Sequence, residues 1–392
     1  MLGVTPDADV AIIGAGLSGL LLARALLTSP PTGPGTARPR VLLADPRPAP
    51  AGQSVTYSSW ADRPTPLDPW RIGSWRSLRT VAHDGTVRAV ALQRWRYDAT
   101  DWGRARADLL AEVGADPRVT LLLEPVQTVR DSADGTRATV QGATTQLTAR
   151  WAFDSRPPSV EDLRTGFGTR PVCRPPALLQ TFCGVWVHAD ADVADPATAT
   201  LLDFSADDGP ELGFAYVLPV SARTLMVMAV RMGTCPDLPD PMPAIARAVG
   251  ATPWRPGARE SGITPLVAAP APRRLGRRVL AIGRRGGRVR PSTGYVLQRI
   301  AADAAAVSRS LDEHGHPFAV PPDPTWQLAL DRVWLRALAR ERAGFEPALL
   351  SLFTGAPVDS VLRFLDGDAR PRDVAAVVRA LPPAPFLRAL AG

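Results

Sequence analysis

The 392-residue sequence lacks lysine and asparagine altogether, so all 45 of its basic residues are arginine. Both missing amino acids have AT-rich codons, which indicates a very GC-rich bacterial genome and a compositional origin for many of the arginines. These arginines are interleaved with 38 acidic residues, and the formal net charge is +7. The sequence shows no zinc-finger, RNA-recognition or basic-zipper pattern, so we expect no nucleic-acid partner.

Cysteine and histidine are also scarce. The three cysteines, Cys173, Cys183 and Cys235, form no C-x-x-C pair, and there are 4 histidines. An odd number of cysteines at these spacings argues against a disulfide framework, and so few ligands argue against a structural zinc site. We therefore expect no metal, and free thiols that suit a reducing compartment.

Long hydrophobic runs are missing as well. The first apolar stretch, residues 10–27, is interrupted by glycines and by Arg24. The residues before it include Asp7 and Asp9, where a signal peptide carries basic residues. This pattern predicts neither a signal peptide nor a transmembrane helix, and we expect a cytoplasmic protein.

What the sequence does contain is a globular composition, with 45% hydrophobic and 21% charged residues. A strand, a glycine turn and a helix open the chain, β-type runs dominate its middle, and helical spacing dominates its end. The predicted fold class is α/β, with a Rossmann-like dinucleotide-binding domain, an inserted β-rich lobe and a helical C-terminal region. The expected ranges are 1–175 for the first part of the cofactor domain (with an aromatic-rich insertion at about 55–100), 176–270 for the lobe, 271–315 for the return of the cofactor domain and 316–392 for the helical region.

The opening motif is Gly14-Ala15-Gly16-Leu17-Ser18-Gly19, which fits the dinucleotide pattern G-x-G-x-x-G. It follows a predicted strand at 10–13 and opens a predicted helix at 20–27. In this pattern the first glycine allows a tight turn, the second lets a pyrophosphate approach the backbone, and the third permits close helix–strand contact. A second predicted strand at 41–44 ends at Asp45, which can accept hydrogen bonds from ribose hydroxyls. The sequence therefore predicts a dinucleotide site.

Three further segments favour FAD over NAD. Asp154 closes a strand in FDSRP, residues 283–295 (GRRGGRVRPSTGY) supply a late loop, and Arg106 lies on a predicted helix at 103–113. Their order and spacing predict a FAD-binding domain of the two-dinucleotide-binding-domain flavoprotein type. The residues expected to bind FAD are Gly14, Ala15, Gly16, Ser18, Gly19, Asp45, Arg106, Val126, Asp154, Gly283, Arg285, Gly286, Pro291, Ser292, Thr293, Gly294 and Tyr295.

These segments and several others resemble one family, the lycopene cyclases of carotenoid biosynthesis, and especially its bacterial branch. The matching pieces run over nearly the whole chain and include DVAIIGAGLSGLLLA, FDSRP, LLQTFCGVWV at 178–187, LLDF at 201–204, FAYVLP at 214–219 and ESGITPL at 260–266. GRRGGRVRPSTGYVLQR at 283–299 and VLRFLDG at 361–367 complete the set. The combination of PSTGY with Q-x-F-x-G and F-x-Y-x-x-P is specific to this group.

The resemblance implies a FAD-dependent cyclisation without net redox change. In this family FAD must be reduced, NAD(P)H is the usual electron source, and protonation of a terminal isoprenoid double bond gives a carbocation that closes a ring. This chemistry needs an acid above an apolar pocket and aromatic walls that stabilise positive charge. The residues expected to line the pocket are Trp60, Trp70, Trp75, Phe214, Tyr216 and Met228, with Trp95, Trp102, Tyr57 and Tyr97 as further candidates. Ordinary core packing explains the tryptophans equally well.

The sequence departs from the family where the catalytic carboxylate is expected. Typical members carry one or two acidic residues on the strand after F-x-Y-x-x-P, and here Met228 and Ala229 hold those positions. A thioether does not donate a proton. No Asp or Glu lies between Glu211 and Asp237, so a shifted register does not restore the acid. The alternative acid candidates are Glu260, Asp203 and Glu211, each of which can equally be a surface or hydrogen-bonding carboxylate.

Three functions stay open on these residues. The first is a cyclase whose acid comes from another position, the second is a flavin-dependent monooxygenase or oxidoreductase acting on a terpenoid or polyketide intermediate, and the third is a binding or assembly role. The expected partner is an apolar polyene or terpenoid. An arginine cluster at 273–290 leaves contact with a membrane surface open; within it Arg285 is expected near the flavin, and the others on a solvated face.

Overall fold

The computed structural model describes residues 7–28, 38–46, 55–157, 177–206 and 209–391. Cys173 and the expected boundary between residues 175 and 176 lie outside these ranges. The strands are β1 (Ala8–Ile13), β2 (Val41–Ala44), β3 (Thr56–Ala61), β4 (Arg71–Trp75), β5 (Ser77–Val81), β6 (Val87–Ala91), β7 (Arg96–Asp101), β8 (Val119–Leu122), β9 (Thr128–Asp131), β10 (Ala138–Gln141), β11 (Gln146–Asp154), β12 (Ala177–Ala189), β13 (Thr198–Asp203), β14 (Leu212–Pro219), β15 (Thr224–Gly233), β16 (Trp254–Val267) and β17 (Val279–Ala281). The helices are α1 (Leu17–Thr28), α2 (Trp102–Gly114), α3 (Met242–Val249), α4 (Leu297–His314), α5 (Thr325–Arg340), α6 (Glu346–Gly355), α7 (Val358–Asp366), α8 (Pro371–Ala380) and α9 (Pro383–Leu390).

The first sheet contains the strand–turn–helix unit that opens the chain. Its order is β8-β2-β1-β11-β10-β9, and β17 pairs in parallel with β11. All of β2 and nearly all of β1 is buried, as expected for parallel strands that are covered on both faces. The predicted strand at 41–44 coincides with β2. Helix α1 begins at Leu17, earlier than predicted, because Ser18 and Gly19 already belong to its first turn.

The second sheet forms the β-rich lobe, and its order is β16-β12-β15-β14-β13-β5-β6. One face packs against α3 through an apolar cluster that includes Val185, Val227 and Ile245. The other face belongs to a larger cluster that includes Met226, Phe214 and the helical C-terminal region. Side chains alternate along a strand, so residues two apart share a face. The face toward the helical region is the one that carries Tyr216 and Met228.

Two strands of the lobe come from the aromatic-rich segment that the sequence assigned to the cofactor domain. β5 pairs in parallel with β13, and β6 pairs with β5. The remaining strands of that segment, β3, β7 and β4, form a separate three-stranded sheet. The lobe is therefore larger than the expected range 176–270 and includes residues 77–91. Four of the five residues of β6 are exposed, so the β5–β6 hairpin carries too little apolar alternation for the sequence to reveal it.

Helices α5 to α9 cover the second face of the lobe. Trp334 of α5 packs edge-on against Phe345 with ring centroids 5.2 Å apart, and lies 6.0 Å from the ring of Phe364 on α7. Among the described residues, no helix combines the length and the apolar character needed to cross a membrane. The predicted α/β class, the β-rich lobe and the helical C-terminal region are confirmed.

Candidate functional site

The glycine turn joins the end of β1 to the start of α1. Gly14 has a φ of +100°, and a Cβ on Gly19 would lie 1.9 Å from the Gly14 carbonyl oxygen, so neither position accepts a side chain. Gly16 differs: among the described residues, no heavy atom beyond its chain neighbours lies within 4 Å of where its Cβ would be. The turn therefore presents open backbone at the positive end of a 12-residue helix, where a pyrophosphate fits.

Asp45 and Arg106 hold this turn in place. The Ala15 N–H donates to Asp45 Oδ2 at 2.7 Å, and Arg106 Nε donates to the Ala15 carbonyl at 3.0 Å. Arg106 Nη2 also lies 3.8 Å from Asp45 Oδ2, and both side chains are buried. The acid at the end of β2 and the arginine on α2 thus meet at the same turn.

A group of ionic residues lies at the carboxyl edge of the first sheet. Asp154 at the end of β11 is buried, and Arg156 Nη2 lies 2.8 Å from its Oδ2. Arg285 Nε lies 3.4 Å from the same oxygen, and Arg156 Nη1 donates to the Val126 carbonyl at 3.0 Å. Three expected cofactor residues, Asp154, Arg285 and Val126, therefore lie together at the edge where ligands bind in open α/β sheets.

The late loop contacts the glycine turn, the lobe and the helical region at once. Gly283 has a φ of +60°, and a Cβ there would lie 2.3 Å from Ser18 Oγ at the start of α1. Gly294 has a φ of +77°, and its Cβ would lie 2.7 Å from Gln180 Oε1 on β12. Thr293 Oγ1 donates to a carbonyl of α7 at 2.8 Å. This loop is the bridge between the cofactor domain and the lobe.

The arginine cluster at 273–290 is only in part the solvated face that the sequence suggested: Arg274, Arg277 and Arg284 are exposed, but others are held in ion pairs. Arg290 is 1% exposed, its Nε lies 3.0 Å from Asp331 Oδ1 on α5, and its guanidinium lies 5.2 Å from the Phe364 ring centroid. Arg273 pairs with an aspartate of α4 at 3.0 Å, and Arg288 with one before α5 at 2.6 Å. Burying a cation is costly unless it is paired, and acids from the following helices supply the partners.

Four residues form a row across the lobe's sheet. Met228 of β15 and Glu260 of β16 are both register partners of Gly184 on β12, and Tyr216 of β14 is the partner of Met228. Gly184 provides no side chain to separate its neighbours: a Cβ there would lie 3.2 Å from Met228 Cε and 3.3 Å from Glu260 Cγ. Glu260 therefore lies on the same face as the expected carboxylate position, two strands away, with only Gly184 between them.

The carboxyl group of Glu260 is buried and incompletely hydrogen-bonded. Its side chain belongs to a residue that is 6% exposed, and its Oε2 accepts from the Thr56 N–H at 2.6 Å. Within the described part of the chain, its Oε1 has no hydrogen-bond partner. Burial raises the pKa of Glu260 to about 7, because desolvation of the charged form outweighs the hydrogen bond from Thr56. At neutral pH much of this group is protonated, which suits a proton donor.

The other two acid candidates have structural roles elsewhere. Asp203 is on β13, four strands from β16 and so about 19 Å away at the usual strand spacing. Its Oδ1 accepts from the Ser205 N–H at 3.0 Å, which holds a turn. Glu211 accepts from the Thr234 N–H at 2.6 Å and pairs with Arg342 at 3.1 Å. Although burial acts against it, these contacts lower the pKa of Glu211, so it remains ionised.

An apolar cavity of about 50 Å³ lies between the lobe and the helical region. Phe214 and Tyr216, two of the expected pocket residues, line it together with Tyr295, Trp334 and other side chains. Trp60 lies behind this wall, with its ring centroid 4.4 Å from that of Tyr97 and 5.8 Å from that of Tyr295. The lobe therefore supplies one side of the cavity, and the helical region supplies the other together with Tyr295 of the late loop.

Trp70 and Trp75 do not line this cavity, contrary to expectation. Trp70 Nε1 donates to Asp108 of α2 at 2.7 Å, and its ring packs with the core of the cofactor domain. Trp75 is 1% exposed, and its Nε1 donates to the Pro219 carbonyl at 3.1 Å. A buried indole needs a partner for its N–H, and these two partners turn the rings into the core.

Reasoning from the sequence missed Gly184, Gln180 and Thr56. The string Q-x-F-x-G contained the signal, because alternate residues of a strand share one face and Gln180, Phe182 and Gly184 therefore all face the site. Opposite Phe182 lies Gly262, where a Cβ would be 2.7 Å from Phe182 Cζ. Gln180 thus lies against Gly294 of the late loop, and Phe182 lies against the backbone at Gly262. Gly184 lies between Met228 and Glu260.

Comparisons with known proteins extend these observations. A model of the family described as lycopene cyclase protein matches residues 9–391. Among solved structures, a geranylgeranyl bacteriochlorophyll reductase-like protein from Thermoplasma acidophilum is similar at 12% identity and a TM-score of 0.56, over 95% of each chain. p-Nitrophenol 4-monooxygenase PnpA from Pseudomonas putida DLL-E4 is similar at 13% identity and a TM-score of 0.55, over 97% of each chain. Aklavinone-11 hydroxylase, solved with FAD and aklavinone, reaches a TM-score of 0.51 at 15% identity, over 97% of this chain and 70% of its own.

A search of curated protein sequences finds no significant match. At identities this low, the structural similarities show the fold alone, which is the α/β fold of FAD-dependent oxidoreductases and monooxygenases. The family model, in contrast, matches the amino-acid sequence itself, over residues 9–391. The chain therefore belongs to the lycopene cyclase protein family.

Proposed function

We propose that this protein is a FAD-dependent cyclase that closes a ring at the end of a linear isoprenoid or other polyene without net redox change. Carotenoid or other terpenoid biosynthesis is the setting that family membership favours. The observation that carries the proposal is Glu260, a buried carboxyl group whose pKa is raised to about 7, on the sheet face that also carries Tyr216. A positioned acid is what a protonation-initiated cyclisation requires of the protein.

FAD fits the residues around the glycine turn. The open backbone at Gly16 and the positive end of α1 suit a pyrophosphate, and Asp45 stands where ribose hydroxyls are bound in such domains. Gly283 and the loop at 291–295 continue from this turn toward the lobe. When bound and reduced, FAD supplies negative charge beside the pocket, which stabilises a developing carbocation. NAD(P)H is the electron source that we propose for it.

Glu260 delivers the proton in this proposal. The Thr56 N–H occupies Oε2, so the proton resides on Oε1, which has no partner among the described residues. Gly184 and Met228 beside it keep the surroundings apolar, which favours the neutral acid before transfer. The carboxylate left after the transfer accepts the proton that the substrate later loses, so one turnover leaves the protein unchanged.

The apolar cavity holds the body of the substrate. The row from Tyr216 to Glu260 spans three strand spacings, about 14 Å, so the acid and the cavity suit different parts of one elongated molecule. The rings of Phe214 and Trp334 in the cavity wall can stabilise a cation through their π systems. A cavity of about 50 Å³ is smaller than one of roughly 150 Å³ that accepts benzene, so this cavity would have to widen to admit a terpenoid.

The mass of the product tests the reaction class. With lycopene or another acyclic polyene under anaerobic, reducing conditions, the purified holoenzyme is expected to form an isomer of the substrate. NAD(P)H oxidation should not keep pace with product, because the flavin is reduced once and no electrons leave with the product. The measurement is mass spectrometry of the product together with NAD(P)H absorbance. A product that gains one oxygen atom, with matching NAD(P)H and oxygen consumption, contradicts the cyclase proposal.

The second candidate is a flavin-dependent monooxygenase or oxidoreductase acting on a terpenoid or polyketide intermediate. The observation that favours it is Met228, which stands where the family carboxylate is expected. Oxygenation by a flavin does not need an acid at this position. Glu260 favours the cyclase, because oxygenation by flavin gives no reason to keep a protonated carboxyl group in the same row.

Replacing Met228 by glutamate tests whether the row is the site of proton transfer. The new carboxyl would lie beside Gly184 and close to Glu260, and two carboxyl groups that share a site retain a proton to higher pH. We expect Met228→Glu to shift the alkaline limit of lycopene turnover upward by about one pH unit. Met228→Gln is the matched control, since it adds polarity without a titrating group. Identical pH profiles for the two variants would show that position 228 does not face the reacting proton.

The location of the protein is proposed on chemical grounds. A polyene substrate dissolves in bilayers and not in water, so we propose a cytoplasmic protein that meets its substrate at the inner face of a membrane.

A further inference from the structure

Three tyrosines from separate parts of the fold meet beside the apolar cavity. Tyr97 belongs to β7, Tyr216 to β14 and Tyr295 to the late loop. The Tyr295 hydroxyl lies within hydrogen-bonding reach of those of Tyr97 and Tyr216. The Tyr97 hydroxyl is also within reach of Ser58 on β3, its diagonal neighbour across the β3–β7 pair. We call these four side chains the hydroxyl network.

Aromatic packing fixes the positions of the three phenol rings. The ring centroid of Trp60 lies 4.4 Å from that of Tyr97 and 5.8 Å from that of Tyr295. The ring of Phe214 meets that of Tyr216 edge-on, with centroids 5.5 Å apart. Rings that are held in this way lose little further freedom when a ligand binds, so their hydroxyls are already oriented for recognition.

Four hydroxyl groups line the cavity in the described part of the chain, and two of them are already engaged. Thr293 Oγ1 donates to a carbonyl of α7 at 2.8 Å. Ser292 Oγ accepts from Arg290 Nε at 3.2 Å and lies within hydrogen-bonding reach of a buried aspartate of α5. Most of the remaining wall is leucine and phenylalanine. The hydroxyls that can meet a ligand are therefore those of Tyr216 and Tyr295.

The hydroxyl network holds more donors than its own links use. Each hydroxyl carries one O–H donor and two lone pairs, and a linear series of hydroxyls has one link fewer than it has donors. When the links run toward the cavity, the spare O–H belongs to Tyr216; when they run the other way, Tyr216 offers its lone pairs. A ligand hydroxyl can bond in both cases, because it donates and accepts, whereas a carbonyl can bond only in the first.

The three phenols are uncharged. Burial raises the pKa of Tyr97 to about 12, and burial also raises the pKa of Tyr216 and of Tyr295 above the ordinary value. All three therefore stay protonated at neutral pH. They suit a neutral oxygen of a ligand and not a cation.

We propose that the substrate carries a hydroxyl group remote from its reacting end, and that Tyr216 and Tyr295 bind this group. The inference rests on the proposed function, because Glu260 marks the reacting end. The row from Glu260 to Tyr216 spans about 14 Å, which sets the separation between the hydroxyl and the reacting double bond. A site that hydrogen-bonds a substrate hydroxyl disfavours the analogue that lacks it. The substrate class is therefore a hydroxylated polyene or terpenoid, in preference to a plain hydrocarbon.

The test is the affinity of the flavin-loaded full chain for three terpenoids of one carbon skeleton, namely geraniol (an alcohol), geranial (an aldehyde) and myrcene (a hydrocarbon). We expect the parent to bind geraniol about tenfold more tightly than myrcene. In the double variant Tyr216→Phe/Tyr295→Phe, which keeps the rings, this preference should fall below about twofold. Calorimetry measures the affinities, and circular dichroism and flavin absorbance confirm that the variant folds and holds its cofactor.

Tyr57→Phe is the matched control, because it removes the hydroxyl of the remaining tyrosine. The Tyr57 ring packs against that of Trp102, with centroids 5.3 Å apart, and does not line the cavity. The control should keep the parent's preference for geraniol. Equal affinities of the parent for geraniol and myrcene would overturn the inference, as would an unchanged preference in the double variant or its loss in Tyr57→Phe. Tighter binding of geranial than of geraniol would assign the site to a carbonyl group instead.

Turnover separates this inference from the proposed function. With an acyclic polyene that bears a hydroxyl at one end, the double variant should raise KM about tenfold and by more than it lowers kcat, because the lost contacts are far from the reacting carbon. Equal KM values of the parent for the hydroxylated and the plain polyene would refute the inference and leave the cyclase proposal standing. Absence of turnover of every polyene would refute the cyclase proposal and leave the binding preference standing.

Discussion

Replacing Glu260 by glutamine is expected to lower cyclisation by about a thousandfold, because a positioned general acid contributes roughly that factor. Glutamine keeps the size of the side chain and an oxygen that can accept from the Thr56 N–H, so the fold and the flavin content should be preserved. Product formation is measured by chromatography, and flavin content by absorbance of the purified protein. Asp203→Asn is the matched control, because that carboxylate holds a turn about 19 Å away.

Full activity in Glu260→Gln would remove Glu260 from the reaction. Equal losses in Glu260→Gln and Asp203→Asn would point to a general effect on the lobe. In the parent, turnover should also fall as the pH rises through about 7, where the pKa of Glu260 lies and the acid is lost. That decline should be absent from the residual activity of the glutamine variant.

The same carboxyl group couples folding to pH. Its pKa is about 7 in the folded protein, above the ordinary value of 4.5, so the folded state binds more protons between these two values. Stability therefore decreases as the pH rises through this window. As the pH rises from 4.5 to about 7, the unfolding free energy of the parent should therefore fall by about 1–3 kcal/mol relative to that of Glu260→Gln. Urea unfolding on both sides of the window measures this shift.

Gly16→Val is expected to abolish flavin binding while the protein still folds. No heavy atom among the described residues lies within 4 Å of the added Cβ, and Gly16 has no positive φ, so the fold accepts the side chain. The space that it fills is the one through which a pyrophosphate approaches the backbone, and affinity should fall by about a hundredfold or more. The readout is the colour of the purified protein and titration with FAD, alongside thermal unfolding of the flavin-free form.

Two other glycines make this result interpretable. Gly344 has equally open space around its Cβ position but lies before α6, so Gly344→Val should leave both flavin and stability unchanged. Gly19→Ala should lower stability even without flavin, because its Cβ would meet the Gly14 carbonyl at 1.9 Å. A Gly16→Val protein that keeps its yellow colour would show that the dinucleotide does not use this turn.

Local signals in the sequence predicted the cofactor domain well. The predicted strand at 41–44 coincides with β2, and Asp45 and Arg106, two of the expected cofactor residues, meet at the glycine turn. These features depend on short apolar runs and on glycine, whose effects are confined to a few neighbouring residues. The candidate acid Glu260 came from its position beside a family-like segment, and its burial agrees with that choice.

Long-range register is what the sequence did not reveal. Glu260, Gly184 and Met228 are brought together by the pairing of three strands, and no local pattern specifies which residues of distant strands face one another. The mistaken expectations for Trp70, Trp75 and Arg290 have the same origin. Whether an indole or a guanidinium faces a pocket, the core or solvent depends on partners such as Asp108, Pro219 and Asp331, which are remote in the chain.

The parallel pairing of β5 with β13 affects how this molecule is made and how it can be taken apart. Ser77 is the partner of Thr198, so β5 and β6 leave the ribosome long before the strand that completes their sheet. Until then they have unsatisfied edges, which favours slow folding and association between nascent chains. A fragment that starts at β12 would lack two strands of its sheet. Transplanting the lobe into another flavoenzyme therefore requires moving residues 77–91 together with residues 177–267.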